Sequence, residues 1–172
     1  TDSSGNSSTA TQTVTIIDTI TPSITTPDSI TAEATSADSN TVELGIAIYN
    51  DLVDISSITN DAPEFFPVGE TTVTWTATDS SGNSSTATQT VTIIDTTAPV
   101  LTVPEDVTIT AFSLEKEVDV GTALAIDLVD SMPTVTNNAP ETFPLGDTLV
   151  TWSVSDEFGN SASYEQVISC LL

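Results

Sequence analysis

The sequence predicts an all-β chain built of tandem antiparallel β-sandwiches, and three observations carry the prediction. First, the block TDSSGNSSTATQTVTIIDT occupies residues 1–19 and recurs unchanged at residues 78–96, an offset of 77 residues. The same offset separates Trp75 from Trp152, Pro63 from Pro140, Gly69 from Gly146, Asp79 from Asp156 and Gly82 from Gly159. A fixed period of this size marks serial copies of one folding unit. Second, apolar and polar residues alternate with period two, and no useful length follows a helical period. Third, Pro, Gly, Asn and Asp punctuate the alternation often enough for about seven short strands in roughly 75 residues, which fits a sandwich. The repeats divide the chain into residues 20–96 and 97–172, preceded by residues 1–19. That leading segment reads as the terminal strand of a preceding repeat, or as a strand donated to another sheet, in an excerpt of a longer secreted or surface protein.

The elements follow in order along the last copy. APVLTVP (98–104) reads as a first edge strand broken by prolines, and EDVTITA (105–111) alternates apolar with polar. EVDVGTALAIDLVD (117–130) is a longer apolar run in which Gly121 marks a bulge or bend. PTVTNNAPETFPLGD (133–147) gives a short strand and then a crossing punctuated by Pro and Gly. TLVTWSVSD (148–156) and SASYEQVIS (161–169) form a hairpin around residues 156–160. Lys116, in Ser-Leu-Glu-Lys-Glu, reads as part of an exposed turn.

Alternation assigns faces. Val150, Trp152 and Val154 share one side of their strand, as do Val73, Trp75 and Ala77 in the earlier copy, so each Trp is the largest body in a small core. Tyr164, Gln166 and Ile168 share a side after the hairpin, matched by Ala87, Gln89 and Val91. Gln89 and Gln166, on otherwise apolar faces, read as buried amides tying down a backbone edge. In the turn, Asp79 and Asp156 accept backbone N–H groups through a short carboxylate, and Gly82 and Gly159 supply a positive φ.

Composition narrows the function. The chain carries 25 Asp and Glu against one basic residue, Lys116, for a net charge of −24. Such a surface repels nucleic acid and anionic lipid, favours solubility and attracts divalent cations. With no His and no Arg, serine- and cysteine-based triads and His-containing zinc sites are excluded. No phosphate-binding glycine motif is present, and the two SSGNSS segments are hairpin tips. The sequence therefore predicts no enzyme, no catalytic residue and no cofactor of catalysis. Cys170 stands alone, so no disulfide forms within the chain. No apolar run is long enough to span a membrane within this segment.

The residues Asp95 to Pro99 (DTTAP), Val103 to Ile109 (VPEDVTI), Asp127 to Asp130 (DLVD) and Asn137 to Asn160 (NNAPETFPLGDTLVTWSVSDEFGN) resemble the HYR, or hyalin repeat, family. Asn60 to Asn83 (NDAPEFFPVGETTVTWTATDSSGN) carries the same pattern in the other copy. The run is long and covers nearly the whole chain. It is also similar to repeat modules of very long bacterial and archaeal surface adhesins. The resemblance implies an immunoglobulin-like sandwich used in extracellular or cell-surface architecture and adhesion, with no catalytic residues. The chain lacks the cysteine pair of many animal members, which points to a prokaryotic source.

Candidate sites follow from chemistry and position. Asp18, Asp95, Asp79 and Asp156 are candidate metal ligands, at junctions or hairpin turns where oxygen-rich clusters hold calcium; Asp28, Glu105 and Asp106 lie near the same junctions. The alternative is that all are solvated turn residues. Asn6 and Asn83 each begin an Asn-Ser-Ser glycan acceptor triplet. Thr11, Thr13, Val14 and Ile16 lie in a segment, 10–17, expected to be a β-strand that pairs outside its own sandwich. The expected partners are adjacent repeats or other copies of the chain, in a head-to-tail array or filament. Two roles remain: a structural spacer in a stalk, fibre or filament, or an adhesin module whose loops bind carbohydrate or protein through an exposed aromatic among Tyr49, Phe65, Phe66 and Phe158.

Overall fold

The computed structural model describes residues 1–172. It contains strands and turns and no helix, so no helix is long and apolar enough to cross a membrane. In the first repeat the strands are β1 (Ser23–Thr25), β2 (Ile30–Glu33), β3 (Ile48–Asn50), β4 (Ile55–Asn60), β5 (Gly69–Asp79) and β6 (Ser84–Ile94). In the second they are β7 (Val100–Thr102), β8 (Val107–Thr110), β9 (Glu115–Lys116), β10 (Leu124–Ile126), β11 (Thr134–Asn137), β12 (Phe143–Pro144), β13 (Gly146–Ser155) and β14 (Ser161–Leu171). A four-stranded sheet of order β4-β5-β6-β2 recurs as β11-β13-β14-β8, and the two-stranded sheet β1-β3 recurs as β7-β10. By backbone contacts, residues Thr1–Asp28, Gly45–Ala62 and Val73–Gln89 form one compact unit, and Ser29–Leu44, Pro63–Thr72 and Thr90–Leu172 form another.

Pairing is antiparallel except at one place in each repeat. β2 runs parallel to β6 with Ile30 opposite Val91, and β8 runs parallel to β14 with Val107 opposite Ile168. A parallel pair needs a long crossover, and here the intervening strands of the repeat supply it.

In the second repeat, β13 and β14 face each other over ten residues, from Gly146 opposite Cys170 to Ser155 opposite Ser161. Their inward positions, Val150, Trp152, Val154, Ile168 and Cys170, close on Leu101 and Phe143 to form the core. Trp75 and Phe66 are buried at the matching positions of the first repeat. The alternation read from the sequence thus gives the observed faces. Tyr164 departs from it: the residue opposes Trp152 in register but is half exposed.

Two other expectations need correction. The run 117–130 yields only β10, because the Asp119 carboxylate captures the Gly121 amide at 2.9 Å and Gly121 leaves the extended region at a φ of 82°. A Cβ on Gly121 would also sit 3.1 Å from the Pro104 ring, as one on Gly45 would sit 3.2 Å from Pro27. Lys116 lies in the short strand β9, opposite Phe143, rather than in a turn. Residues 10–17, expected to pair with a sheet edge outside their own sandwich, lie in no strand of this chain, although the identical residues 87–94 lie in β6.

Candidate metal centres

The hairpin turns are held by their first and last side chains. Asp79 Oδ1 accepts the Ser81 amide at 2.9 Å and the Asn83 amide at 2.8 Å, while Asp79 Oδ2 accepts Asn83 Nδ2 at 2.8 Å. Asp156 repeats this with Phe158, Asn160 and Asn160 Nδ2 at 2.9, 2.8 and 2.8 Å. Burial pushes both carboxyls up, but the asparagine and backbone hydrogen bonds outweigh it and hold both below the ordinary aspartate range. The same asparagine reaches a second element: Asn83 Nδ2 donates to the Asp18 carbonyl at 3.3 Å, and Asn160 Nδ2 to the Asp95 carbonyl at 3.2 Å. Each hairpin tip is therefore tied to the main chain that leads into its repeat.

That tie brings carboxylates together. In the first repeat Asp18, Asp51 and Asp79 converge, one oxygen from each lying within 4.8 Å of the others. Asp18 Oδ1 accepts the Ile20 amide at 3.0 Å and Asp51 Oδ1 the Leu52 amide at 2.7 Å, whereas Asp51 Oδ2 is buried with no hydrogen-bond partner. The equivalent residues of the second repeat are Asp95, Asp127 and Asp156. Asp95 Oδ1 accepts the Thr97 amide at 3.1 Å, and Asp127 Oδ1 accepts the Val129 and Asp130 amides at 2.8 and 2.9 Å. Asp95 is only 8% exposed, and its Oδ2 is again buried without a partner. Burial raises the Asp95 carboxyl above its ordinary range, and the charges of Asp127, Asp156 and Glu33 raise it further against the Thr97 hydrogen bond.

The four carboxylates singled out from the sequence thus fall two in each set, Asp18 and Asp79 in the converging cluster and Asp95 and Asp156 among its equivalents in the second repeat. Asp51 and Asp127, the third member of each, were missed as ligands. Both begin a DLVD tetrapeptide, and its recurrence in the two copies was the available signal. Asp28, Glu105 and Asp106 serve elsewhere. Asp28 and Glu105 offer main-chain carbonyls to Gln89 and Gln166, and the Asp106 carboxylate accepts the Val167 amide at 2.8 Å.

The HYR domain family matches residues 17–93 and again residues 94–168. The chain belongs to the HYR domain family. It is 36% identical over 126 residues to Hyalin of Strongylocentrotus purpuratus and 37% identical over 123 residues to Hyalin of Lytechinus variegatus. These matches cover 65% and 63% of the chain but only 10% and 22% of the relatives' own lengths. Both relatives come from sea urchins, so the expectation of a prokaryotic source, drawn from the missing cysteine pair, finds no support. The chain is a tandem HYR repeat, with Cys170 free and buried in the second copy.

The remaining candidate residues of the HYR repeats divide by environment. Asn6 is exposed and donates to Asp2 Oδ2 at 2.8 Å, whereas Asn83 is half-buried with its amide nitrogen committed to Asp79 and Asp18. A glycan on Asn83 would compete with the clamp that builds the first carboxylate site. Thr11, Thr13, Val14 and Ile16 are all exposed. Phe66 is buried, while Tyr49, Phe65 and Phe158 are exposed, as is Phe112, which the sequence reading did not single out.

Proposed function

We propose that this chain is a structural module of an extracellular or cell-surface stalk, fibre or filament, in which successive HYR repeats act as spacers and assembly units. One observation supports this above the others. Residues 10–17 duplicate residues 87–94 of β6, yet Val14 and Ile16 are 75% and 94% exposed where their counterparts Val91 and Ile93 are 0% and 1% exposed. Covering two such side chains contributes about 3–5 kcal/mol, and the unpaired backbone of an extended segment is a template for pairing. A preceding repeat or a second copy of the chain supplies the missing sheet edge. The acidic surface suits an exposed solvated array and limits non-specific association. An adhesin role for the loops has the exposed aromatics Tyr49, Phe65 and Phe158 in its favour.

Deleting residues 1–19 tests the assembly reading. The full chain is expected to form oligomers or polymers visible by sedimentation and electron microscopy, and the deletion to be monomeric. Polymers that persist undiminished without residues 1–19 refute it.

A further inference from the structure

Neither triad is explained by turn formation alone. Capturing a turn amide requires one side-chain oxygen, which Asn or Ser supplies as well as Asp does. Here the first oxygens of all six residues accept amides. What remains is negative charge that these bonds do not neutralise, including the two buried, unpartnered oxygens of Asp51 and Asp95. A buried carboxylate oxygen without a partner is costly. With one Lys and no Arg or His in 172 residues, the chain cannot neutralise this charge from its own side chains. The equivalent residues of the second repeat, Asp95, Asp127 and Asp156, again include a buried, unpartnered oxygen, on Asp95 rather than on Asp127.

We propose that Asp18, Asp51 and Asp79 bind one calcium ion, and that Asp95, Asp127 and Asp156 bind a second. Oxygen-only donors select a hard cation. The first three oxygens lie within 4.8 Å of one another, inside the roughly 5 Å that separates opposite oxygens on one calcium ion. Calcium also tolerates irregular oxygen shells, which suits three carboxylates on three separate segments, with water completing the coordination. An ion at either position neutralises the converging charge and joins the start of the repeat, the DLVD segment and the hairpin tip. Binding needs no second chain, so it holds for a monomeric stalk as for a filament, and it survives if the assembly reading fails.

Calorimetric titration of the chelator-stripped full chain with calcium chloride tests the proposal. The expected result is two ions per chain with dissociation constants of about 0.1–1 mM, the range of extracellular calcium modules. Asp51→Asn should remove one ion, and Asp51→Asn with Asp127→Asn both, because Asn keeps the turn hydrogen bond and loses the charge. Glu105→Gln, an acidic change outside both triads, should leave two. No saturable uptake, or two ions still bound by a folded double variant, overturns the proposal. Amide NMR of the unaltered chain removes any dependence on variant folding. The Ile20, Leu52 and Ser81 amides, and those of Thr97, Val129 and Phe158, should shift saturably with calcium and not with sodium at equal ionic strength. If these amides stay still, or move equally in sodium, the sites do not exist.

Discussion

Gln166 has no exposed surface, yet all of its polar atoms are engaged. Its Oε1 accepts Trp152 Nε1 at 3.0 Å, and its Nε2 donates to the carbonyls of Glu105 and Val120 at 2.8 and 3.1 Å. One amide thus orients the largest core side chain and fastens two backbone segments to β14. Gln89 does the same for Trp75, at 3.1 Å, and for the Asp28 carbonyl, at 2.9 Å. Gln166→Met retains the volume and removes every hydrogen bond, leaving an indole N–H and two carbonyls short of a partner. Its expected cost is about 2–4 kcal/mol, since each unsatisfied buried group costs roughly 1–3 kcal/mol and the terms do not add fully. Urea unfolding followed by tryptophan fluorescence measures it; a loss below about 0.5 kcal/mol, the scatter of ordinary surface changes, would show that the amide only fills space. This role was legible beforehand, because a polar residue at the same place on two apolar faces needs a partner. The carboxylate cluster was half legible. Local turn chemistry marks Asp79 and Asp156, whereas the convergence of Asp51 with Asp18 joins residues distant in sequence, for which alternation carries no signal.

Among the elements, long strands announced themselves and short ones did not. β5, β6, β13 and β14 each sustain ten or eleven residues, enough for period two to stand out. β9 has two residues and β10 three, too few for a period to register. The parallel pairing of β2 and β8 was not legible either, since strand direction leaves no local trace. β2 ends in a further device. Glu33 accepts the Thr96 amide and both Thr96 and Thr97 hydroxyls at 2.8–2.9 Å, which keeps the main chain beyond β6 against β2. The Thr96 amide, and then the two hydroxyls, hold the Glu33 carboxyl below the ordinary glutamate range. A depressed carboxyl contributes stability above its unfolded pKa and loses it as pH falls through the lower folded value. Glu33→Gln should therefore lower the melting temperature at neutral pH, and the gap to the parent chain should close on acidification from the ordinary glutamate range downward. Melting curves across that range check the sign; a gap that is constant with pH would mean that the carboxylate charge plays no part.

For the whole molecule the dominant quantity is a net charge of −24 on 172 residues. Self-repulsion on this scale opposes compaction, and cations relieve it by screening. The melting temperature is expected to be lowest in dilute buffer with chelator, higher in sodium chloride, and highest in calcium at matched ionic strength. A site held at ten times its dissociation constant adds about 1.4 kcal/mol on top of screening. Identical melting in all three solutions would remove both charge-limited stability and specific binding.

The exact duplication of residues 78–96 by residues 1–19 has a consequence for how the first repeat folds. Two stretches of one chain are equally suited, side chain for side chain, to the place beside β5. Sequence cannot arbitrate between them; tether length does. β6 is joined to β5 through residues 80–83, whereas about fifty residues separate the leading copy from the start of β5. Closing the longer loop costs about 2 kcal/mol more, so the correct tenant arrives by proximity. The preference is modest, and it belongs to the hairpin tip that Asp79 and Asn83 hold shut. An insertion that lengthens this tip would narrow the margin and let the leading copy of one molecule invade the sheet of another, turning a faithful repeat into a domain-swapped one.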